Sequence, residues 1–400
     1  MTKQVWKIER FSADKTSDVM SFTYSTGRQT QFDSWSPGSL VLTIRNNSGQ
    51  ANGYDLNDKI ILTASGTDWY QWFYVQEVLF NDLPGIGEGS TATIICTDLL
   101  GRMGRISVFE ESIPSAKTLL QIYNEFNSLM PTGTTILILA DGDSTAAADA
   151  SYTGTALNRL NLNMVTEQGW LQNFGDALIL ASRSAMQDLV PEAVTFARNT
   201  TVLDVYQVGY SDIKRIALGS NYLNYCFVTP PVAVPQKASN ATGIAEFGIY
   251  GAEFVTVDDS ATQADSFASW QVQSRADPEQ LSFRISVSDT ANELEWLLNA
   301  MSSALAVVTV SYEIPGYTSE VTSQQIIQGF TMSVTPSRTD MQIFTSPLTY
   351  TDFFTLDSAT FGILGGPAVA SATYNQNIKY NKNTYTYNGV FDGNGGRLGW

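Results

Sequence analysis

The segment Thr135-Ile136-Leu137-Ile138-Leu139-Ala140-Asp141-Gly142-Asp143-Ser144 is an apolar run ending in Gly-Asp-Ser, an arrangement in which a strand could deliver a serine nucleophile. Such a serine needs a base to take its proton, and that base is most often histidine. The chain of 400 residues contains none. The same absence removes the commonest ligand of zinc, copper and haem iron, and the side chain best suited to proton transfer near neutral pH. The block therefore reads as a strand running into a polar loop that continues through Ala150. Paired carboxylates at Asp141/Asp143, Glu110-Glu111 and Asp258-Asp259 are the remaining candidates, because glycoside hydrolysis uses two carboxylates across a cleft. Neighbours on a strand point to opposite faces, however, and Asp258-Asp259 precedes a helical pattern, where the helix dipole favours acids. Asp141-Gly142-Asp143 lacks the later Glu of a calcium loop. Gly85-Ile86-Gly87-Glu88-Gly89-Ser90 lies in a turn between strands rather than before a helix, and no glycine-rich lysine loop for phosphate occurs. On the residues alone we expect no catalytic residue, no metal ligand and no cofactor.

Composition narrows the class further. Lys and Arg total 22 against 39 Asp and Glu, a net charge of −17, so a basic nucleic-acid surface is disfavoured. Hydrophobic residues make up 43% of the chain, with 20 Phe, 18 Tyr and 8 Trp, enough for a substantial core. Cys96 and Cys226 each sit in an apolar stretch and read as two buried thiols rather than a disulfide. MTKQVWKIERF has no apolar signal core, and the longest apolar region, Leu297 to Val310, is broken by Asn299, Ser302 and Ser303, so neither export by a leader nor a membrane span is expected.

The elements that must position these residues are mostly strands. Val19 to Tyr24, Ser39 to Ile44, Lys59 to Thr63, Trp72 to Phe80 and Thr91 to Cys96 carry β-branched or aromatic residues between turn-rich segments such as Trp35-Ser36-Pro37-Gly38. Residues 1–110 thus predict a small antiparallel barrel or sandwich. Residues 111–200 predict an α+β insert. Its first helix places Ala116, Leu119, Leu120, Tyr123, Phe126 and Leu129 on one face. Its second runs from Thr155 to Gln168 with Ala156, Leu157, Leu160 and Met164 inward and Gly169 at its end. A hairpin then joins Trp170–Phe174 to Ala177–Ala181 through Gly175-Asp176. Residues 201–303 predict linking strands and a helix between Ala261 and Ala276, stopped by Pro278. Residues 304–347 predict a second β unit from Ala304–Tyr312, Gln324–Val334 and Asp340–Thr345. Residues 348–400, with Tyr374, Tyr380, Tyr385 and Tyr387 among Asn, Lys and Gly, predict an extended C-terminal arm that packs on a neighbouring subunit.

In this order the segments resemble the minor tail proteins that form the tail-tip, or baseplate, hub of long-tailed bacteriophages. Tyr24-Ser25-Thr26-Gly27-Arg28, then Phe32-Asp33-Ser34-Trp35-Ser36-Pro37-Gly38-Ser39-Leu40 and Leu42-Thr43-Ile44-Arg45-Asn46-Asn47-Ser48-Gly49, are similar to the family's opening "GR, short spacer, PG" and "TxxLxN". Ala92 to Leu100 resembles its "tatvtatDxl" strand, Thr155 to Trp170 its helix ending in "exG", and Leu178 to Arg183 its "GxLxFxxR" hairpin. Ala238 to Tyr250 is similar to "SixryG", and Ala268 to Arg284 to the helix before "PxxRv". Ile326-Ile327-Gln328-Gly329-Phe330 through Pro336, and Phe344-Thr345-Ser346-Pro347, resemble the closing "veGixhxitp" and "lsP". The family's usual His is Met332 here.

The resemblance covers roughly residues 5 to 365 and implies a mainly β fold with α+β inserts and two small antiparallel β-barrels of tail-hub type. It implies a structural, non-enzymatic virion protein, a homotrimer whose six barrels adapt to a hexameric tail tube. The expected partners are further copies of the chain, the tail tube or distal tail protein, tail fibre or spike proteins, and genomic DNA that passes without specific binding. Acidic residues lining the channel would repel that DNA. The alternative is a receptor- or glycan-binding tail protein that uses its aromatic-rich polar surface and the Tyr- and Asn-rich C-terminal arm.

Overall fold

The computed structural model describes residues 6–82, 89–187, 194–197, 207–217, 221–275, 281–288, 297–298, 301, 306–313 and 320–347, and the backbone of 377–380 and 383–386. The chain divides into two compact units, Met1–Tyr350 and Thr351–Trp400. No described helix is long and apolar enough to cross a membrane.

The first unit is dominated by a 14-stranded sheet. Its strands form where apolar residues alternate. In Lys59–Ala64, Ile60, Leu62 and Ala64 are buried, and in Thr91–Thr97 the same is true of Ala92, Ile94 and Cys96. Each Ile or Leu among them contributes roughly 1.5–3 kcal/mol by leaving water. The strands Trp6–Arg10, Lys59–Ala64, Tyr70–Asn81, Thr91–Thr97, Ser36–Arg45 and Val19–Gly27 follow one another across the sheet. Trp6–Arg10 has no counterpart in the sequence expectations.

The second β unit is Val307–Glu313, Glu320–Val334 and Thr339–Pro347. One side of the 15-residue strand Glu320–Val334 pairs first with Val307–Glu313 and then, from Gly329 onward, with Val19–Gly27; its other side carries Thr339–Pro347. Leu281–Ser288 and Asp212–Ala217 extend the sheet beyond Thr339–Pro347. Among the described residues no barrel closes: the two β units share one sheet and one core. Within that core Tyr24 meets Phe73 and Phe330 edge-on, both at 5.1 Å between ring centroids. Met332 is fully buried there, opposite Tyr24 on one strand and Met341 on the other.

The insert packs the helices Leu99–Met103, Thr118–Phe126 and Ala156–Glu167 with a three-stranded sheet of Thr135–Ile138, Ala177–Ala181 and Trp170–Phe174. Thr118–Phe126 is rotated from the expected face. Gln121 and Ile122 point inward with Leu119 and Phe126, while Tyr123 and Leu129 are exposed. Gln121 is accommodated because its amide donates to the carbonyl of Pro114 (2.7 Å) and accepts from Arg159 and Asn163 (3.0 Å each). The second helix is capped by the Thr155 hydroxyl, and the left-handed residue at its end is Gln168 (φ 56°) rather than Gly169. The hairpin through Gly175-Asp176 forms as expected.

A third cluster joins the helix Ala261–Ser274 to a small sheet in which Tyr225–Thr229 lies between Gln236–Ser239 and Gly251–Val255. Ala264, Phe267, Ala268 and Val272 face that sheet, as the spacing predicts. Pro278 and residues 83–88 lie outside the described residues. Cys96 and Cys226 are free and buried. In the second unit the described backbone is an antiparallel hairpin, Asn377–Tyr380 with Asn383–Thr386; Tyr374 and Tyr387 lie outside the described residues.

Candidate functional site

The loop 27–38, which carries the Gly-Arg and Pro-Gly motifs, is where every part of the first unit meets. Val19–Gly27 ends in a left-handed glycine (φ 79°), and an ideal β-carbon on Gly27 would lie 2.6 Å from the Cα of Gly329. A bulge between Ile327 and Gly329 inserts Gln328 and turns it toward the loop. Arg28 donates its backbone N–H to the Gln328 carbonyl (3.0 Å) and its Nε to Gln328 Oε1 (2.8 Å). The Arg28 guanidinium lies 4.0 Å from the ring centre of Trp35 and 5.5 Å from that of Trp170, which meets Trp35 edge-on at 5.1 Å. Burial lowers the Arg28 pKa to about 9, with Asp33 opposing the shift, so the cation persists at neutral pH.

The rest of the loop reaches the other layers. Trp35 exchanges two hydrogen bonds with the Asn161 side chain on the helix Ala156–Glu167, its N–H donating at 3.0 Å and its carbonyl accepting at 3.1 Å. Arg275, just after the helix Ala261–Ser274, stacks on Phe32 at 3.6 Å. The Gln31 N–H donates to Ser346 Oγ at 3.2 Å. The Gly38 carbonyl accepts from the Asp98 N–H and the Thr97 hydroxyl, both at 3.2 Å. Asp98 is fully buried and caps the helix Leu99–Met103 by accepting from the Gly101 N–H at 3.1 Å. Burial pushes its carboxyl up to about 6, against the lowering effect of these donors. Beside the loop is a cavity of about 70 Å³ whose lining includes Trp35, Trp69, Trp170 and Gln71.

The Gly-Asp-Ser block is also held structurally. Glu167, buried at the end of its helix, accepts from the N–H of Asp143 (2.7 Å) and of Ser144 (3.0 Å) and forms a short hydrogen bond with the Thr118 hydroxyl. Asp143 Oδ2 accepts from the Ser184 N–H at 2.7 Å. Gly142 adopts φ 106° beneath Thr118, where an added β-carbon would be 2.5 Å from the hydroxyl oxygen. Burial raises the Glu167 pKa despite its donors. Ser144 is 5% exposed, while Asp141 at the start of the turn is exposed, so the block is a turn wrapped round a buried carboxylate.

The other two carboxylate pairs lie on the strand Ser107–Ile113 and just before the helix Ala261–Ser274. Glu110 and Glu111 are both exposed, Glu110 at a left-handed position (φ 51°). Asp258-Asp259 precedes a helix as the sequence suggests, but the cap of that helix is Ser260, and Asp258 is 1% exposed and bridged to Ala146. Burial brings its carboxyl up to about 6. Among the described residues no group of three or more His, Cys, Asp or Glu side chains could hold a metal ion. Sequence reasoning read Trp35-Ser36-Pro37-Gly38 as turn punctuation and met Arg28, Asp98, Glu167 and Gln328 only inside the family motifs, with no role for any of them; the available signal was that the motif residues Arg28 and Trp35 bracket one short loop.

This loop and sheet define a fold that is shared with known proteins. A tail protein from Neisseria meningitidis superposes with a TM-score of 0.58 and 11% identity, over 86% of this chain and 96% of the other. A 43 kDa tail protein from prophage MuSo2 of Shewanella oneidensis gives 0.57 and 13%, over 86% and 98%. A component of the type VI secretion system of E. coli gives 0.51 and 10%, over 86% and 77%, and is itself structurally similar to tail proteins of bacteriophage T4. No family model matches the sequence, and no curated protein matches it. The chain thus has the fold of phage tail proteins.

Proposed function

We propose that this chain is a structural, non-enzymatic component of a phage virion that builds the hub ring at the tail tip. The observation that carries the reading is the fold likeness to two tail proteins over 96% and 98% of their lengths. In this reading three copies form the ring, and the two β units that meet along Glu320–Val334 serve as its barrel-like elements. The ring joins the tail tube to distal and fibre proteins and surrounds the DNA channel during host attachment and genome ejection. The clamp at 27–38 suits that role, because a part that transmits load between partners needs its layers locked together. A charge of −17 favours passage of DNA without adhesion.

Light scattering or native mass spectrometry tests this reading, followed by particle imaging. The expected species has three times the 43.7 kDa chain mass and a central opening. A monomer that binds host envelopes saturably would overturn the ring and favour a receptor-binding tail protein.

A further inference from the structure

Glu167 and Asp258 lie on opposite sides of a seam where the segment 221–275 sits on the insert, and both are buried, at 0% and 1% exposure. The seam is stitched beside them. The N–H of Ala147 donates to the Val257 carbonyl (2.7 Å), that of Asp259 to the Thr145 carbonyl (3.1 Å) and that of Val257 to the Thr166 hydroxyl (3.0 Å). Gln263 Oε1 accepts from the Thr145 N–H at 2.8 Å, and Ala146 bridges Asp258. Val165, on the same helix as Glu167, packs against the cluster of Ala264 and Phe267. Both carboxyl groups therefore adjoin the hydrogen bonds that hold the seam shut.

The two are not equally provided for. Glu167 accepts from the N–H groups of Asp143, Ser144 and Arg183 and from the Thr118 hydroxyl. Among the described residues, Asp258 Oδ2 accepts from none. A carboxylate oxygen buried without a donor is costly once ionised, and a second carboxylate nearby adds repulsion. Of the pair, Asp258 is the one that takes up a proton. The other charges facing it are Asp259, its neighbour in sequence, and the half-buried Arg183, which also donates to Gln168 at 3.0 Å. On the Glu167 side stand Asp143 and the exposed Lys117, which donates to the Asp143 carbonyl at 3.0 Å. Burial, with the charges of Asp259 and Glu167, holds the Asp258 carboxyl up at about 6 against the Thr256 hydroxyl and Arg183.

We propose that Asp258 is a proton-operated latch: in its neutral form it keeps the segment 221–275 seated on the insert, and on ionising beside Glu167 it loosens that seam. The sign follows from linkage. The seated form binds the proton more tightly than the open one, so its advantage is fully present below the ordinary value of 3.8 and is lost as pH rises through about 6. The latch does not depend on how copies of the chain assemble.

Hydrogen exchange of the full chain, read by mass spectrometry and corrected for the intrinsic effect of pH, tests the latch. Peptides spanning 145–147 and 257–259 should be about tenfold less protected at pH 7.5 than at pH 5.0, the change that a rise from 3.8 to about 6 allows, and the change should level off above about 6. Lys59–Ala64, in the large sheet, should not follow. Asp258→Asn should hold its pH 5.0 protection at pH 7.5. Arg183→Gln keeps the carboxyl and removes a facing cation, so the pH at which the change levels off should move upward; this variant decides the matter if Asp258→Asn does not fold. An Asp258→Asn chain that keeps the pH dependence, an Arg183→Gln profile that stays in place, a seam equally protected at both pH values, or an equal change in Lys59–Ala64 would each overturn the latch.

Discussion

Gly27 and Gly329 lie opposite each other on adjacent antiparallel strands, and neither position has room for a β-carbon. On Gly329 that atom would stand 2.9 Å from the Arg28 nitrogen; on Gly27 it would meet the Gly329 backbone. Two backbones that touch in this way can be joined only by residues without side chains, which ties the opening motif to the closing one. Gly329→Ala should therefore cost about 2–3 kcal/mol. Gly27→Ala should cost roughly 1 kcal/mol more, because its φ of 79° is strained for any L side chain. Urea unfolding of the two variants measures both, and a loss below 0.5 kcal/mol for Gly329→Ala would show that the close approach is not there.

Arg28 should not be replaceable by lysine. Its planar cation stacks on Trp35 and Trp170 while its Nε serves Gln328, and an ammonium cannot do both. Arg28→Lys keeps the charge and should still cost about 1–2 kcal/mol. It should also alter the near-ultraviolet circular dichroism, since Trp35 and Trp170 meet edge-on. Unchanged stability and spectrum would sink the clamp.

How much of this was legible in the sequence depends on the range of the interaction. β-Branched residues between turns revealed Lys59–Thr63 and Thr91–Cys96, and the strands found there bury every second residue. Apolar spacing misplaced the face of Thr118–Phe126. A count of apolar residues puts Tyr123 and Leu129 inside and has no reason to bury Gln121, whose burial depends on partners at Pro114, Arg159 and Asn163. The clamp was invisible for a related reason. Arg28 and Gln328 are 300 positions apart, and the bulge that aims Gln328 exists only once the strands pair. The helical pattern after Asp258 accounted for an acid at that place but not for its burial, which depends on a β-bridge to the distant Ala146.

The Gly-Asp-Ser block yields a prediction about chemistry. The Glu167 carboxylate is an acceptor for three backbone N–H groups, of Asp143, Ser144 and Arg183, and a hydroxyl, and glutamine in its place would aim an NH₂ at donors. Glu167→Gln should cost about 2–4 kcal/mol, while Ser144→Ala should stay within about 1 kcal/mol. A fluorophosphonate probe should leave Ser144 unlabelled in the native protein. Covalent labelling at Ser144 would mean that the turn opens and carries a nucleophile after all.

Asp98 gives the pH dependence its sign. Its carboxyl rises from 3.8 to about 6 in the folded state, so the native protein binds a proton more tightly than the unfolded chain does. Stability contributed by the protonated form is fully present below the unfolded value and is lost as pH rises through the folded one. The ionised, buried group then costs up to about 3 kcal/mol at neutral pH. Asp98→Asn keeps an oxygen for the Gly101 N–H and cannot ionise, and asparagine is as good a helix cap as aspartate. The variant should gain stability over the parent at pH 7.5 and show a much smaller difference at pH 4.5. Asp258 and Glu167, also raised by burial, are common to both chains and cancel in the comparison. Urea unfolding at the two pH values reads the difference directly, and an Asp98→Asn chain less stable than the parent at pH 7.5 would show that the ionised carboxylate is worth more to the loop than its burial costs.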